Sequence, residues 1–168
     1  RLDKSDGCVV KGNVFNHHFD GINMVSSNSC TISNNTLRNN FDGINIDSCR
    51  YNLISNNTCQ GNDFEGMEIH NSSFNDFFDN FLKNNQYHGF YLDECSENEF
   101  KENEMLDNGI YIKGDNESHL GSHEIDGSNT VNGKPVIYWK DRSGESLPSE
   151  IGQAILFNCI NIEIRGFD

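Results

Sequence analysis

Basic residues are scarce: 12 Lys and Arg stand against 26 Asp and Glu, a formal charge of −14 over 168 residues. A surface of that sign repels phosphate backbones and anionic lipid, which argues against nucleic acid and acidic membranes as partners. Long apolar runs are missing as well, and none nears the roughly 20 residues needed to cross a bilayer. The six cysteines, Cys8, Cys30, Cys49, Cys59, Cys95 and Cys159, include no CxxC pair and no zinc spacing. Only two prolines (Pro135 and Pro148) and one tryptophan (Trp139) are present, all in the last quarter of the chain. No apolar leader precedes the opening RLDKSDGC, so the chain reads as a mature or excised piece. The length fits about one domain.

What the chain has in excess is asparagine, 26 residues of it. Asn disfavours helices and ordinary strands, but suits turns and stacked amide ladders. Regularly placed Ile, Phe, Leu and Met argue against disorder. Four sequons, at Asn34, Asn56, Asn71 and Asn116, permit N-glycosylation.

The stretch NNTLRNNFDGINIDS at Asn34–Ser48 is nearly rewritten from Asn56 as NNTCQGNDFEGMEIHN. Aligned on Gly21, Gly43, Gly66, Gly89 and Gly109, the units step by 22, 23, 23 and 20 residues. An aromatic precedes the first four glycines by two positions: Phe19, Phe41, Phe64 and Tyr87. An apolar-any-apolar triplet follows each glycine, from Ile22/Met24 to Ile110/Ile112. Two further apolar columns run Val10, Ile32, Ile54, Phe77, Phe100 and Phe15, Leu37, Cys59, Leu82, Met105. Between them lies Asn13, Asn35, Asn57, Asn80, Asn103.

Period-2 triplets separated by Asn/Gly/Ser corners are short strands, not helices. Repeated in register, they describe a coil in which each strand pairs in parallel with its copy one turn away, at about 4.8 Å. The apolar columns then fill the tube and the Asn column forms an internal amide ladder. No single turn could bury its apolar face alone. The expected fold is all-β, a single-domain right-handed parallel β-helix of about six to seven turns. Regular turns span 6–113, irregular turns with a protruding loop at about Asp141–Glu150 span 114–150, and a final turn spans 151–168. Cys8 and Cys30 stack in adjacent turns, where an oxidised pair is conceivable. Buried free thiols are the default. Both ends read as cuts through a longer solenoid that flanking turns or a second copy would cover.

These units resemble the parallel β-helix repeats of the NosD-like and pectate-lyase-like superfamily over roughly 6–113. The later NTVNGKPVIYWKD and IGQAILFNCINIEI are similar to segments of β-helix surface proteins of methanogenic archaea. The resemblance speaks for architecture and an extracellular or cell-surface setting, while enzymes and binding modules share such coils.

If the triplets point inward, one outer face stacks Asp42, Asp47, Glu65, Glu68, His70, His88, Tyr91 and Asp93. Carboxylates, imidazoles and an aromatic on adjacent turns suit a glycan or a cation such as Ca²⁺. They would also suit the acid and base of polysaccharide cleavage. The bland alternative is an ordinary solvated acidic surface. Against catalysis, pectate-lyase-like enzymes pair calcium-binding Asp with a basic Arg or Lys, and here only Lys113 stands at the margin. The Asp-Pro-His signature of alginate-epimerase-like enzymes and the Asp-Asp pairs of polygalacturonase-like ones are both missing. NosD resemblance also implies copper. Yet His17, His18, His70, His88, His119 and His123 form no copper motif, and Met24 and Met67 fall in core columns. No cofactor is required by this reading. The expected function is a non-enzymatic β-helix module that acts as spacer, envelope component or glycan-binding surface. The alternative is a polysaccharide lyase or hydrolase.

Overall fold

A computed structural model describes residues 1–166. It is an all-β parallel solenoid of about six turns. Three sheets run along its length, each receiving one strand per turn. The first contains the residues that follow the glycines, such as Asp42–Asp47 and Met67–His70. The second contains Thr31–Ser33, Leu53–Ser55, Asp76–Phe78 and their equivalents. The third contains Thr36–Arg38, Thr58–Gln60, Phe81–Lys83 and theirs.

The register matches the expected columns. Ile44 pairs with Met67 and Met67 with Phe90. Ile32, Ile54, Phe77 and Phe100 follow one another in the second sheet, and Leu37, Cys59, Leu82 and Met105 in the third. All of these side chains are buried in one continuous core. Cys59 lies inside it as a small hydrophobe, its thiol pKa raised by burial. All six cysteines are free.

Corners need a different solution, because a turning backbone leaves amides outside the strand ladders. The expected Asn column supplies it. The Asn57 side-chain oxygen accepts from the backbone N–H and the side-chain amide of Asn35, both at 3.0 Å. Its own Nδ2 donates to the Ile32 carbonyl at 2.8 Å and to Asn80 Oδ1 at 3.1 Å. Both donors and the acceptor oxygen are in use. The column runs from Asn13 through Asn35, Asn57, Asn80 and Asn103, and extends one turn further to Asn129.

Two more amide ladders, not anticipated, occupy other corners: Asn40–Asn62–Asn85–Asn108 and Asn52–Asn75–Asn98. At a fourth corner hydroxyls and thiols do similar work. The Ser5 amide donates to Ser27 Oγ, that of Ser27 to Cys49 Sγ, and that of Cys49 to Ser72 Oγ. Before every ladder residue except Asn129 stands one at positive φ, for example Asn34, Asn56 and Asp79. Asn and Asp tolerate that conformation better than most side chains. The glycine column answers a separate constraint, close approach between turns. A Cβ on Gly21 would stand 2.7 Å from the Gly43 carbonyl oxygen.

Beyond the regular repeat the structure departs from expectation. Thr130–Val131 is followed by an antiparallel strand, Lys134–Lys140, so the coil reverses instead of continuing. The reversal is the two-residue turn Asn132–Gly133, both at positive φ, the conformation that Asn-Gly favours in tight hairpins. The Lys134–Lys140 strand then pairs in parallel with Gln153–Phe157. The segment expected to protrude at 141–150 is stacked instead, through Ser143↔Ile160 and Ser146↔Glu163. The added segment covers the last regular turn, which moves the expected open edge to the segment's own end near Ile160 and Ile164. Gln153 takes the place of a neighbouring strand: its side chain accepts from the Ile110 N–H at 2.9 Å and donates to the Ile110 carbonyl at 2.6 Å. Of the expected final turn 151–168, Phe167 and Asp168 lie outside the described residues.

Replacing Asn57 by Ala strands the Asn35 donors and the Ile32 carbonyl inside the protein. The unfolding free energy should fall by at least about 1–3 kcal/mol, the cost of one buried polar group without a partner. Urea denaturation measures it. Asn57→Asp keeps the acceptor, loses both donors and should also destabilise. An unchanged midpoint in both variants would refute the ladder's energetic role.

Candidate functional site

The outer face of the first sheet gathers the eight candidate residues, at two depths. Asp47, His70 and Asp93 are in register on three consecutive strands, with Lys113 next in line. Beside them run Asn45, Glu68, Tyr91 and Tyr111. These two columns reach the surface. Asp42 and Glu65 do not: they are only 2% and 6% exposed, which corrects the expectation of an outward column before the glycines. Their carboxylates turn along the corner to receive backbone amides of the next turn. Glu65 N–H donates to Asp42 Oδ1 at 2.9 Å, and His88 N–H to Glu65 Oε2 at 2.6 Å. In these two residues a carboxylate does what Asn does elsewhere.

Most of the face is internally paired. His70 Nε2 lies 3.0 Å from Glu68 Oε1, and its Nδ1 lies 3.8 Å from Asp93 Oδ2. Asn45 Nδ2 donates to Glu68 Oε2 at 2.5 Å, and Lys113 Nζ to Asp93 Oδ2 at 2.9 Å. His88 Nδ1 sits 3.2 Å from Glu65. Tyr91 lies nearly parallel to Tyr111, centroids 5.6 Å apart, while His88 stacks on Tyr111 at 4.9 Å. Lys113, Tyr111 and Asn45 thus complete a network that the sequence reading centred on other residues.

Burial, reinforced by the charges of Glu68, Asp20 and Glu65, pushes the Asp42 carboxyl up to about 7. Glu68 is shifted the other way, mainly by its hydrogen bond from His70. Asp42 therefore holds a proton more readily than Glu68 does. Glu68 in turn holds the His70 pKa above its usual value.

The corner leading into this face carries the aromatic column seen in the sequence. Phe19, Phe41 and Phe64 stack at 4.7 and 4.2 Å, and Tyr87 follows at 4.8 Å with a tilted ring. Stacked rings turn their faces to one another and their edges outward.

Residues 1–144 match the family described as periplasmic copper-binding protein (NosD). The chain belongs to the NosD family. A search among curated proteins found no match. The family description implies copper, and the donors of this NosD member can be tested for it. Met24, Met67 and Met105 are fully buried in the core. Cys49 and Cys95 donate to backbone carbonyls at their corners. His123 is buried, its Nδ1 accepting from the Asn98 N–H and its Nε2 donating to the His119 carbonyl. His70 and His88 pair with carboxylates on separate columns. Among the described residues no three His, Cys, Asp or Glu are grouped to hold a metal ion. The residues present do not fit copper, and the Ca²⁺ expected on the acidic face has no preformed cage among them either.

Two predictions follow from this geometry. Asp42 holds its proton more tightly folded than unfolded, where 3.8 applies. Its contribution to stability is whole below about pH 4 and is lost as pH rises through about 7. Asp20 and His70, both raised, act in the same direction. Glu68, lowered, acts oppositely and loses its contribution only on acidification below its ordinary 4.5. His123, held by burial down at about 4, acts oppositely and offsets Asp42 up to about pH 6.5. The melting temperature should therefore fall chiefly from about pH 6.5 to about pH 8, and Asp42→Asn should flatten that slope. Melts across that range decide it, and a wild-type curve rising with pH would contradict it. Second, the purified chain, loaded with Cu(I) or Cu(II) and dialysed, should retain no stoichiometric copper by elemental analysis. One tightly held equivalent per chain would show that a site forms on binding.

Proposed function

We propose that this NosD-family segment is a non-enzymatic β-helical module of an extracellular or periplasmic protein. It would serve as a rigid spacer or envelope component whose acidic face is available to a glycan. The observation that carries the non-enzymatic reading is the placement of Asp42. An acid with a raised pKa beside an ionised carboxylate is the arrangement that glycoside cleavage uses. Glycosidases, however, set the two carboxyl groups about 5 Å or more apart, with sugar between them. Asp42 is 2% exposed and its Oδ1 is taken up by the Glu65 N–H, so it faces no space in which a glycosidic bond could lie. His88 and His70 are likewise occupied by Glu65 and Glu68. The family description as periplasmic supports a setting outside the cytoplasm, and no helix among the described residues is long and apolar enough to cross a membrane.

For self-association, support comes from the first turn, where Leu2, Cys8, Val10 and Phe15 remain only partly buried at the end of the core. Ile160 and Ile164 at the other end are more than half exposed.

The test joins a lyase and hydrolase assay on uronic-acid and neutral polysaccharides to a glycan array run with and without Ca²⁺. No unsaturated product and no new reducing ends are expected. Any array signal should weaken with Tyr91→Ala or His70→Ala if the acidic face carries it. Turnover that disappears with Asp42→Asn would overturn the non-enzymatic reading.

A further inference from the structure

A second face, on the second sheet, carries a groove of about 590 Å³ unrelated to the residues above. Its aromatic part is a ring pair, Tyr51 on Phe74, with centroids 5.2 Å apart and planes 18° from parallel. Tyr51 is 62% exposed and Phe74 37%. They share a corner column with Ser29 below and Glu97 above, so the stack is two rings long and its outer faces meet no further ring in that column. Leu53, also well exposed, extends the apolar floor.

Around this floor stand Asp76, Glu97, Glu99 and Glu124. Asp76, Glu99 and Glu124 are in register on three successive strands, one turn apart. Two cations neighbour the row, Lys101, already paired with Glu99, and Lys140, whose Nζ donates to the His123 carbonyl beside Glu124. The charge crowding is felt at Asp76, whose pKa is raised by burial and then by Glu99.

The polar groups of the groove that could contact a ligand are mostly acceptors. Asn52 and Asn98 spend their amides on the ladder, and Ser122 accepts from the Glu97 N–H while donating to the Ser118 carbonyl. A matching ligand must be apolar along its length and end in donors without acceptors. A sugar hydroxyl, both donor and acceptor, matches less well. Lys and Arg side chains have that form: an aliphatic stem that packs on apolar surface and a cationic head that only donates. Ring faces add attraction for the same heads.

We propose that this groove binds a basic segment of a partner protein, seating Lys or Arg stems on Tyr51, Phe74 and Leu53 with their heads on the carboxylate row. A polypeptide here is read through side chains alone, because neighbouring turns already pair with the Leu53–Ser55, Asp76–Phe78 and Glu99–Lys101 strands on both edges.

Fluorescence anisotropy with a labelled octa-arginine peptide, and separately octa-lysine, tests the proposal at near-physiological salt. Because the whole chain is acidic, the decisive variant leaves charge unchanged. Tyr51→Ser with Phe74→Ser installs the residue that the same column carries at Ser29, and should weaken binding about tenfold or more. Glu99→Gln with Glu124→Gln should weaken it comparably. Asp3→Asn with Asp63→Asn, which removes the same charge elsewhere, should have little effect. Circular dichroism confirms that each variant is folded. Equal losses in the groove and control pairs, or binding indifferent to the ring substitutions, would reduce the groove to nonspecific attraction and overturn the proposal. So would preferential capture of spermine or a glucosamine oligomer over both peptides.

Discussion

Everything in this coil depends on side-chain amides that bond across one turn at the corners. Parallel strands satisfy their own backbone, but a turn of 22 or 23 residues has four corners where the ladder of strand bonds is interrupted. Asn is suited to the gap because its single side chain both accepts and donates twice, as Asn57 does. Thirteen of the 26 asparagines belong to the three amide columns, which accounts for half of a composition that otherwise looks hostile to strands. Because adjacent columns need the same spacing, the ladders also hold the register that the apolar stacks fill.

The amide columns rather than the glycines mark the true period. Between the second and third turns Asn40 to Asn62 spans 22 residues, whereas Phe41 to Phe64 spans 23. The added residue is Asp63, placed between ladder and aromatic column. Later, Asn85 to Asn108 keeps 23 while Gly89 to Gly109 shrinks to 20. Three residues vanish at the same corner, and the aromatic column ends with Tyr87. Length changes are thus absorbed where no amide ladder would be cut. A further insertion, the short helix Glu117–Gly121, likewise falls between strands, before His123 takes the Asn position above Asn98.

Much of this was legible from the sequence. Period-2 triplets in register fix strand faces and core columns, and Asn13 to Asn103 declared its ladder by spacing alone. The companion ladders carried an equal signal at Asn40, Asn62 and Asn85 and at Asn52, Asn75 and Asn98, but alignment on glycine obscured it. The Asn132–Gly133 reversal was also written in the chain, since Val-Asn-Gly-Lys between apolar runs is a hairpin pattern. What pattern could not supply was depth. Asp42 and Glu65 alternate like surface residues, yet the local need for amide acceptors draws their carboxylates inward.

Burial of those carboxylates bears on how one fold serves unlike functions. Inward and corner positions answer to the neighbouring turn, so their identities are constrained by packing and hydrogen bonding. Outward positions answer to no turn, and they are free to carry copper donors in one protein and other chemistry in another. In this chain they carry carboxylates and aromatic rings, with imidazoles already paired to acids. Membership of the NosD family therefore accounts for the coil, while the chemistry must be read column by column from the residues that face out. On the first sheet those columns neutralise themselves in good part through Lys113 and His70. On the second sheet the row of Asp76, Glu99 and Glu124, with Glu97 beside it, outnumbers the cations near it, Lys101 on Glu99 and Lys140 on the His123 carbonyl next to Glu124, and it stands beside two rings that no core requires. An imbalance of charge next to exposed aromatic surface is costly to keep without a counterpart. It is on that face, rather than on the self-satisfied one, that the surface of this molecule is chemically incomplete.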